Sequence, residues 1–163
     1  MGILLEKIGK GSVLVSDGAW GTFLQTKGME PGTCPELWNL THPGEVADIA
    51  CQYVKAGSDM VETNSFGANR FKLEHFGLQD RVYELNKAAA EVSRKGAGPD
   101  KLVLGSVGPT GKFLMMGEVT EDELFETFAE QSRGLKDGGA DAIIVETMTD
   151  LEEAVIAVRA AKS

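Results

Sequence analysis

Two stretches, "AGSDMVET" (56–63) and "GGADAIIVET" (138–147), rhyme across the chain. Each passes from a helix-stopping glycine through an aspartate into a short apolar run that ends Glu-Thr. An apolar run without alternation suits a strand covered on both faces, which is the pattern of parallel sheets. The residues before each run repeat apolar positions at helical spacing, so the rhyme reads as two turns of one βα alternation.

Working outward, "SVLVSD" (12–17) and "KLVLGSVG" (101–108) supply two further strands. Helices are expected at 3–10, from Thr41 to a stop at Gly57, at 68–77 and over 79–95. Two more open on capping boxes, Thr120 with Glu123 and Thr149 with Glu152. Four strands, each followed by a helix, imply a parallel sheet with right-handed crossovers. Nothing resembling a linker or a low-complexity segment interrupts 1–163, which reads as one domain.

Composition narrows the classes of function. Of 163 residues, 42% are hydrophobic and 25% charged, as in ordinary globular proteins. A net charge of −9 argues against a nucleic-acid partner, because phosphate binding needs a basic surface. No apolar run approaches a membrane span. "MGILLEKIGKG" is too short and too charged for a secretory signal, and Glu6 breaks the myristoylation pattern. Cys34 and Cys51 do not form a disulfide framework, so a cytoplasmic, reducing location is the default.

In a parallel α/β sheet the reactive groups gather at the carboxyl ends of the strands. Those ends hold Asp17 with Gly18 and Ala19, then Glu62, Thr63 and Asn64, then Ser106 with "GPTG" (108–111), then Glu146 and Thr147. Acids around one mouth suit an ammonium, and free N–H groups at Gly18 and Ala19 suit a carboxylate, which together describe an amino-acid site. Bland readings stand beside these. Asp17 is also a turn residue, Glu62 a partner for a neighbouring Lys or Arg, and Asn64 a loop-holding amide. Glu146 follows four apolar residues and is costly to bury without a partner. His42, His75 and the two cysteines lack metal-ligand spacing, and Met115 and Met116 read as loop packing.

Two signatures fail. "GPTGK" lacks the first glycine of a phosphate loop, where Ser106 stands, and Phe113 follows the lysine. No G-x-G-x-x-G follows the first strand, so a dinucleotide site has no support.

Four motifs in order, "DGAWGTFLQTKG" (17–28), "ETNSFGANRFKLEHFGL" (62–78), "GSVGPTGKFL" (105–114) and "VETMTDLEEA" (145–154), resemble the homocysteine S-methyltransferase family. They span nearly the whole chain, and the "GPTGKFL" form is most similar to the corrinoid-linked, methionine-synthase-like branch. The resemblance implies a (β/α)8 TIM-type barrel, of which this chain would carry the first four βα units, an amino-terminal half-barrel. It implies methyl transfer to the homocysteine thiol, giving methionine. Asp17 and Glu146 would hold the homocysteine amino group, and the backbone at Gly18 and Ala19 its carboxylate. Thr63 and Asn64 would lie at the same mouth. No catalytic acid or base is implied.

The family holds zinc through three cysteines beyond the fourth unit, and neither Cys34 nor Cys51 matches them, so no metal ligand is assigned here. Methylcobalamin or methyltetrahydrofolate is the implied donor, with a corrinoid protein as a partner. A barrel of this type takes about 250 residues. Four strands leave open edges and an uncovered apolar face, so self-association, a second half-barrel chain or a truncated form follows. Three alternatives remain: a non-catalytic half-barrel assembly module, a corrinoid-linked methyltransferase with another acceptor, and an unrelated doubly wound α/β domain.

Overall fold

The computed structural model describes residues 3–163; Met1 and Gly2, the start of the segment tested for a myristoylation pattern, lie outside it. Its sheet has three parallel strands, β1 (Met60–Glu62), β2 (Leu102–Val107) and β3 (Ala142–Val145), in the order β1-β2-β3. Val61 pairs with Val103, and Leu104 with Ala142. Sequential parallel order is that of a barrel wall, and it disfavours the doubly wound alternative, whose strand order reverses at a switch point.

The expectation of four strands is corrected to three among the described residues. Residues 12–17 form no ladder. The Val15 carbonyl accepts the N–H groups of Asp59 (2.8 Å) and Met60 (3.2 Å), which begins a pairing along the β1 edge. Side chains then take over. The Asp59 carboxylate accepts the Val15 N–H, and the Asp17 carboxylate accepts the Glu62 N–H at 2.8 Å. A bond that would continue the ladder goes to a side chain instead, and Val13 stays 89% exposed.

The helices are α1 (Ile3–Gly9), α2 (Gly21–Thr26), α3 (Trp38–Thr41), α4 (Pro43–Ala56), α5 (Arg70–Glu74), α6 (Val82–Ala97), α7 (Glu121–Asp137) and α8 (Leu151–Ala161). The helix expected from Thr41 begins at Pro43, whose missing N–H costs nothing in a first turn. Gly57 closes it at φ 114°, a conformation few other residues accept. Helix α2 and the short α3 carried no sequence signal strong enough to be expected. Thr120 and Glu123 form the capping box of α7. For α8 the expected box of Thr149 and Glu152 is corrected: Asp150, extended and directly before the helix, accepts the N–H groups of Glu152 and Glu153.

Helices α4, α6 and α7 pack closely at glycines. A Cβ on Gly96 would stand 2.1 Å from the Ala47 carbonyl oxygen, and one on Gly138 would stand 2.3 Å from that of Lys87. Every residue of β2 is buried. One apolar cluster gathers Trp20, Leu24, Trp38, Ile49 and Val61 between α2, α4 and β1. A second surrounds Phe128 with Leu124, Leu135 and Ile156, joining α7 to α8. Together they fix the carboxyl ends of the strands in one rim. Met115 and Met116, expected to pack, are 96% and 73% exposed instead, because their turn after β2 projects from this rim. No described helix is long and apolar enough to cross a membrane.

Candidate amino-acid-binding site

At the carboxyl rim a cleft of about 400 Å³ is lined by Asp17, Gly18, Ala19, Glu62, Thr63, Asn64, Ser106 and Glu146, with Trp20 and Glu36 among its other walls. All six expected site residues, Asp17, Gly18, Ala19, Thr63, Asn64 and Glu146, therefore share one cavity. They come from three places in the chain. Parallel β1 and β3 bring their carboxyl ends to one side, and the bonds of Val15 and Asp17 along the β1 edge bring residues 17–19 to the same rim.

Asp17 is firmly held. Its Oδ2 accepts the Trp20 indole N–H and the Glu62 main-chain N–H, both at 2.8 Å, and its Oδ1 accepts the Ser16 hydroxyl at 3.1 Å. The turn beyond it is pinned by Tyr53 of α4, whose hydroxyl donates to the Ala19 carbonyl at 2.8 Å. A side chain at Gly18 would crowd that hydroxyl at 3.3 Å. Among the described residues the N–H groups of Gly18 and Ala19 meet no main-chain acceptor.

Thr63 and Asn64 line the cleft but spend their polar atoms on the protein. Thr63 Oγ1 accepts the Ser106 N–H at 3.0 Å and lies 2.6 Å from Ser65 Oγ, binding β1 to β2. Asn64 Nδ2 donates to the Pro35 carbonyl (2.7 Å) and to Asn39 Oδ1 (3.2 Å). The loop-holding reading of Asn64 is the one its contacts support. Glu36, on the floor, accepts the Gly67 N–H at 2.8 Å and the Cys34 thiol at 3.2 Å. Nothing in "CPELWN" (34–39) marked it beforehand.

Glu146 Oε1 accepts the Ser106 hydroxyl at 2.5 Å. The next residue, Thr147, is the one non-glycine with positive φ (56°) among the described residues, a strained turn for a β-branched side chain. Of the two readings of Glu62, the one that pairs it with a neighbouring Lys or Arg is corrected. No ion pair among the described residues includes Asp17, Glu62 or Glu146. Half-buried, Glu62 instead meets two acids. Lost solvation, followed by the charges of Glu146 and Asp17 and a hydrogen bond with Glu146, raises its pKa to about 7. Burial and the charges of Asp17 and Glu62 likewise raise the Tyr53 phenol. The Glu-Thr rhyme of 62–63 with 146–147 was the signal that could have paired the two glutamates.

Comparison with known proteins follows the same outline. Residues 14–163 match the family model of homocysteine S-methyltransferases. The chain belongs to the homocysteine S-methyltransferase family. It is 38% identical over 153 residues to a methionine synthase of Mycobacterium tuberculosis, an alignment covering 85% of this chain and 13% of that protein. A methionine synthase of Mycobacterium leprae is 36% identical over 162 residues, covering 91% of this chain and again 13% of the relative. The chain thus spans about an eighth of these curated relatives. Among solved structures, the homocysteine methyltransferase MmuM from Escherichia coli in its oxidized form superposes with a TM-score of 0.76 at 25% identity, over 93% of this chain and 59% of that one. Its metallated form matches the fold equally well.

The described residues of this family member do not fit the zinc that the resemblance implies. No three of their His, Cys, Asp and Glu side chains converge as metal ligands. Cys34 is buried, and burial followed by the Glu36 charge pushes its thiol pKa up to about 12, so it is not a thiolate at neutral pH. Both cysteines are free thiols.

Proposed function

We propose that the cleft is the amino-acid end of a homocysteine S-methyltransferase site, at which the homocysteine thiol is methylated to methionine. The observation that carries this is the convergence of Asp17, Glu62 and Glu146 in one cavity without a cation. Acids left unpaired beside a cavity in a family that acts on an amino acid suit its ammonium. Glu146 and Asp17 hold the amino group, and the N–H groups of Gly18 and Ala19 take the carboxylate. Thr63 and Asn64 shape the wall. None of these acts as an acid or base; they orient the substrate so that its sulfur points to the donor.

Zinc activation of the thiol and the methyl donor, methylcobalamin or methyltetrahydrofolate, lie in this reading with further barrel strands, in the same polypeptide or a partner, and with a corrinoid protein. The two free cysteines suit a cytoplasmic setting. Calorimetric titration with L-homocysteine tests the site. Glu146→Gln and Asp17→Asn are each expected to weaken binding, and unchanged affinity in both sinks the reading.

A second reading, a half-barrel assembly module, draws on a larger groove of about 1220 Å³. It runs along the sheet past Leu104, Ala142 and Ile144 to α1 and α8. An apolar opening of this size favours a covering chain. Sedimentation that finds only monomer, with no association with complementing barrel strands, speaks against it.

A further inference from the structure

We infer that Glu62 is the principal carboxylate partner of the substrate ammonium, and that the empty site stores one proton on the Glu62–Glu146 pair which the ammonium displaces. The inference rests on the amino-acid-site reading above and adds to it a residue and a proton.

The three acids of the cleft differ in what they have left to offer. Both Asp17 oxygens are engaged, Oδ2 twice over. Glu146 has one oxygen on the Ser106 hydroxyl, while its other receives only a long contact, 3.4 Å, from Thr147 Oγ1. Glu62 contributes its main-chain N–H to Asp17 and its carbonyl to Ser93, but its carboxyl group has no N–H donor among the described residues. What it does meet is other acids: it lines one cleft with the carboxyl groups of Glu146 and Asp17, and their charges act on it. Two carboxyl groups that face each other without a cation favour a state in which one proton is held between them.

The surroundings hold the proton in place. Asp17 faces Glu62 from the segment before α2, Glu146 from the end of β3, and Tyr53 from α4, whose phenol is itself raised. All of these groups are neutral or negative, and no cation is paired with the three acids. The same environment that favours a proton favours any other positive charge brought close. An ammonium group supplies the charge and up to three N–H donors, so it replaces the proton with the net charge of the pair unchanged at about −1. The exchange balances: the protonated pair and R–NH3+ give the pair bound to R–NH3+ and one H+ released to solvent. No covalent bond of the ligand changes.

L-Methionine is the probe, because it has the amino-acid end of the substrate and no thiol to lose a proton. Its binding heat is measured near pH 7 in buffers of different ionisation enthalpy. The expected result is release of a large fraction of one proton per ligand bound, rising toward one as the pH falls. Affinity should strengthen as pH rises through about 7. Glu62→Gln should weaken binding roughly tenfold or more and abolish the release, whereas Asp17→Asn should cost less, since its oxygens are already committed. Methionine binding without proton release in the unmodified protein overturns the inference while leaving the amino-acid site standing. So does Glu62→Gln binding with unchanged affinity. Failure of both L-methionine and L-homocysteine to bind the unmodified protein removes the amino-acid site and this inference with it.

Discussion

The two sides of the cleft treat their polar groups differently. In the loop after β1, Thr63, Asn64 and Ser65 bond to protein atoms at 2.6–3.2 Å, reaching Pro35, Asn39 and Ser106. Across the mouth, Glu62 and Glu146 face each other with open acceptor capacity and no cation. A buried amide without a partner is a defect, so the loop side is saturated. An acid beside another acid costs stability, and a fold retains such a pair where a ligand makes use of it. One side is scaffold and the other is site, although both sets of residues line the same space.

The strongest way to break that comparison is at Asn64. Asn64→Ala leaves the Pro35 carbonyl and Asn39 Oδ1 without their donor. Loss of such buried bonds is expected to lower the unfolding free energy by about 2 kcal/mol, read from urea denaturation. If stability holds and only ligand affinity falls, Asn64 belongs to the site side after all. Glu146→Gln should behave oppositely. It keeps an oxygen for the Ser106 hydroxyl and removes one of the facing charges, so stability at neutral pH is unchanged or higher. L-Homocysteine affinity should drop about tenfold, equivalent to about 1.4 kcal/mol.

The pH dependence of the empty protein sharpens the contrast. The Glu62 pKa is raised from 4.5 to about 7 on folding, so between those values the folded state binds more protons than the unfolded chain. Its contribution to stability is therefore fully present below about pH 4.5 and lost as the pH rises through about 7. Urea midpoints should fall across that window, and Glu62→Gln should flatten this part of the slope. An unchanged slope in the variant would show that Glu62 ionises freely.

Much of this was legible in the sequence because it rests on period and punctuation. β1, β2 and β3 are short, mostly apolar runs without alternation, and α7 announced itself with Thr120 and Glu123. Parallel topology placed Thr63, Asn64 and Glu146 at one mouth, and Asp17, Gly18 and Ala19 join it through the bond of Asp17 to the Glu62 N–H. What escaped was decided by competition between groups. Residues 12–17 have strand composition, yet the carboxylates of Asp17 and Asp59 take the N–H groups on which a ladder depends. Thr149 and Asp150 are both fair caps, and the carboxylate adjacent to the helix prevailed. For Glu62 the reading as partner of a basic neighbour stood level with the functional one. Only the shared mouth and the Glu-Thr rhyme with 146–147 point to its neighbours, Asp17 and Glu146, distant in sequence on both sides.

The smallest expected effect concerns how Glu146 comes to face Glu62. Thr147 holds φ 56° directly after it, in a region where a β-branched residue is strained. Glycine adopts this conformation freely but loses more entropy on folding, so the two terms partly offset. Thr147→Gly is therefore expected to change stability by no more than about 1 kcal/mol, in the stabilising direction if strain dominates. The informative readout is binding. If the strained turn fixes the Glu146 carboxyl against Glu62, freeing it should reduce L-homocysteine affinity a few-fold while the protein becomes no less stable. If affinity is unchanged, the Ser106 hydroxyl, 2.5 Å from Oε1, is sufficient to hold the acid in place. In that case the strain at Thr147 serves only to turn the chain from β3 toward α8.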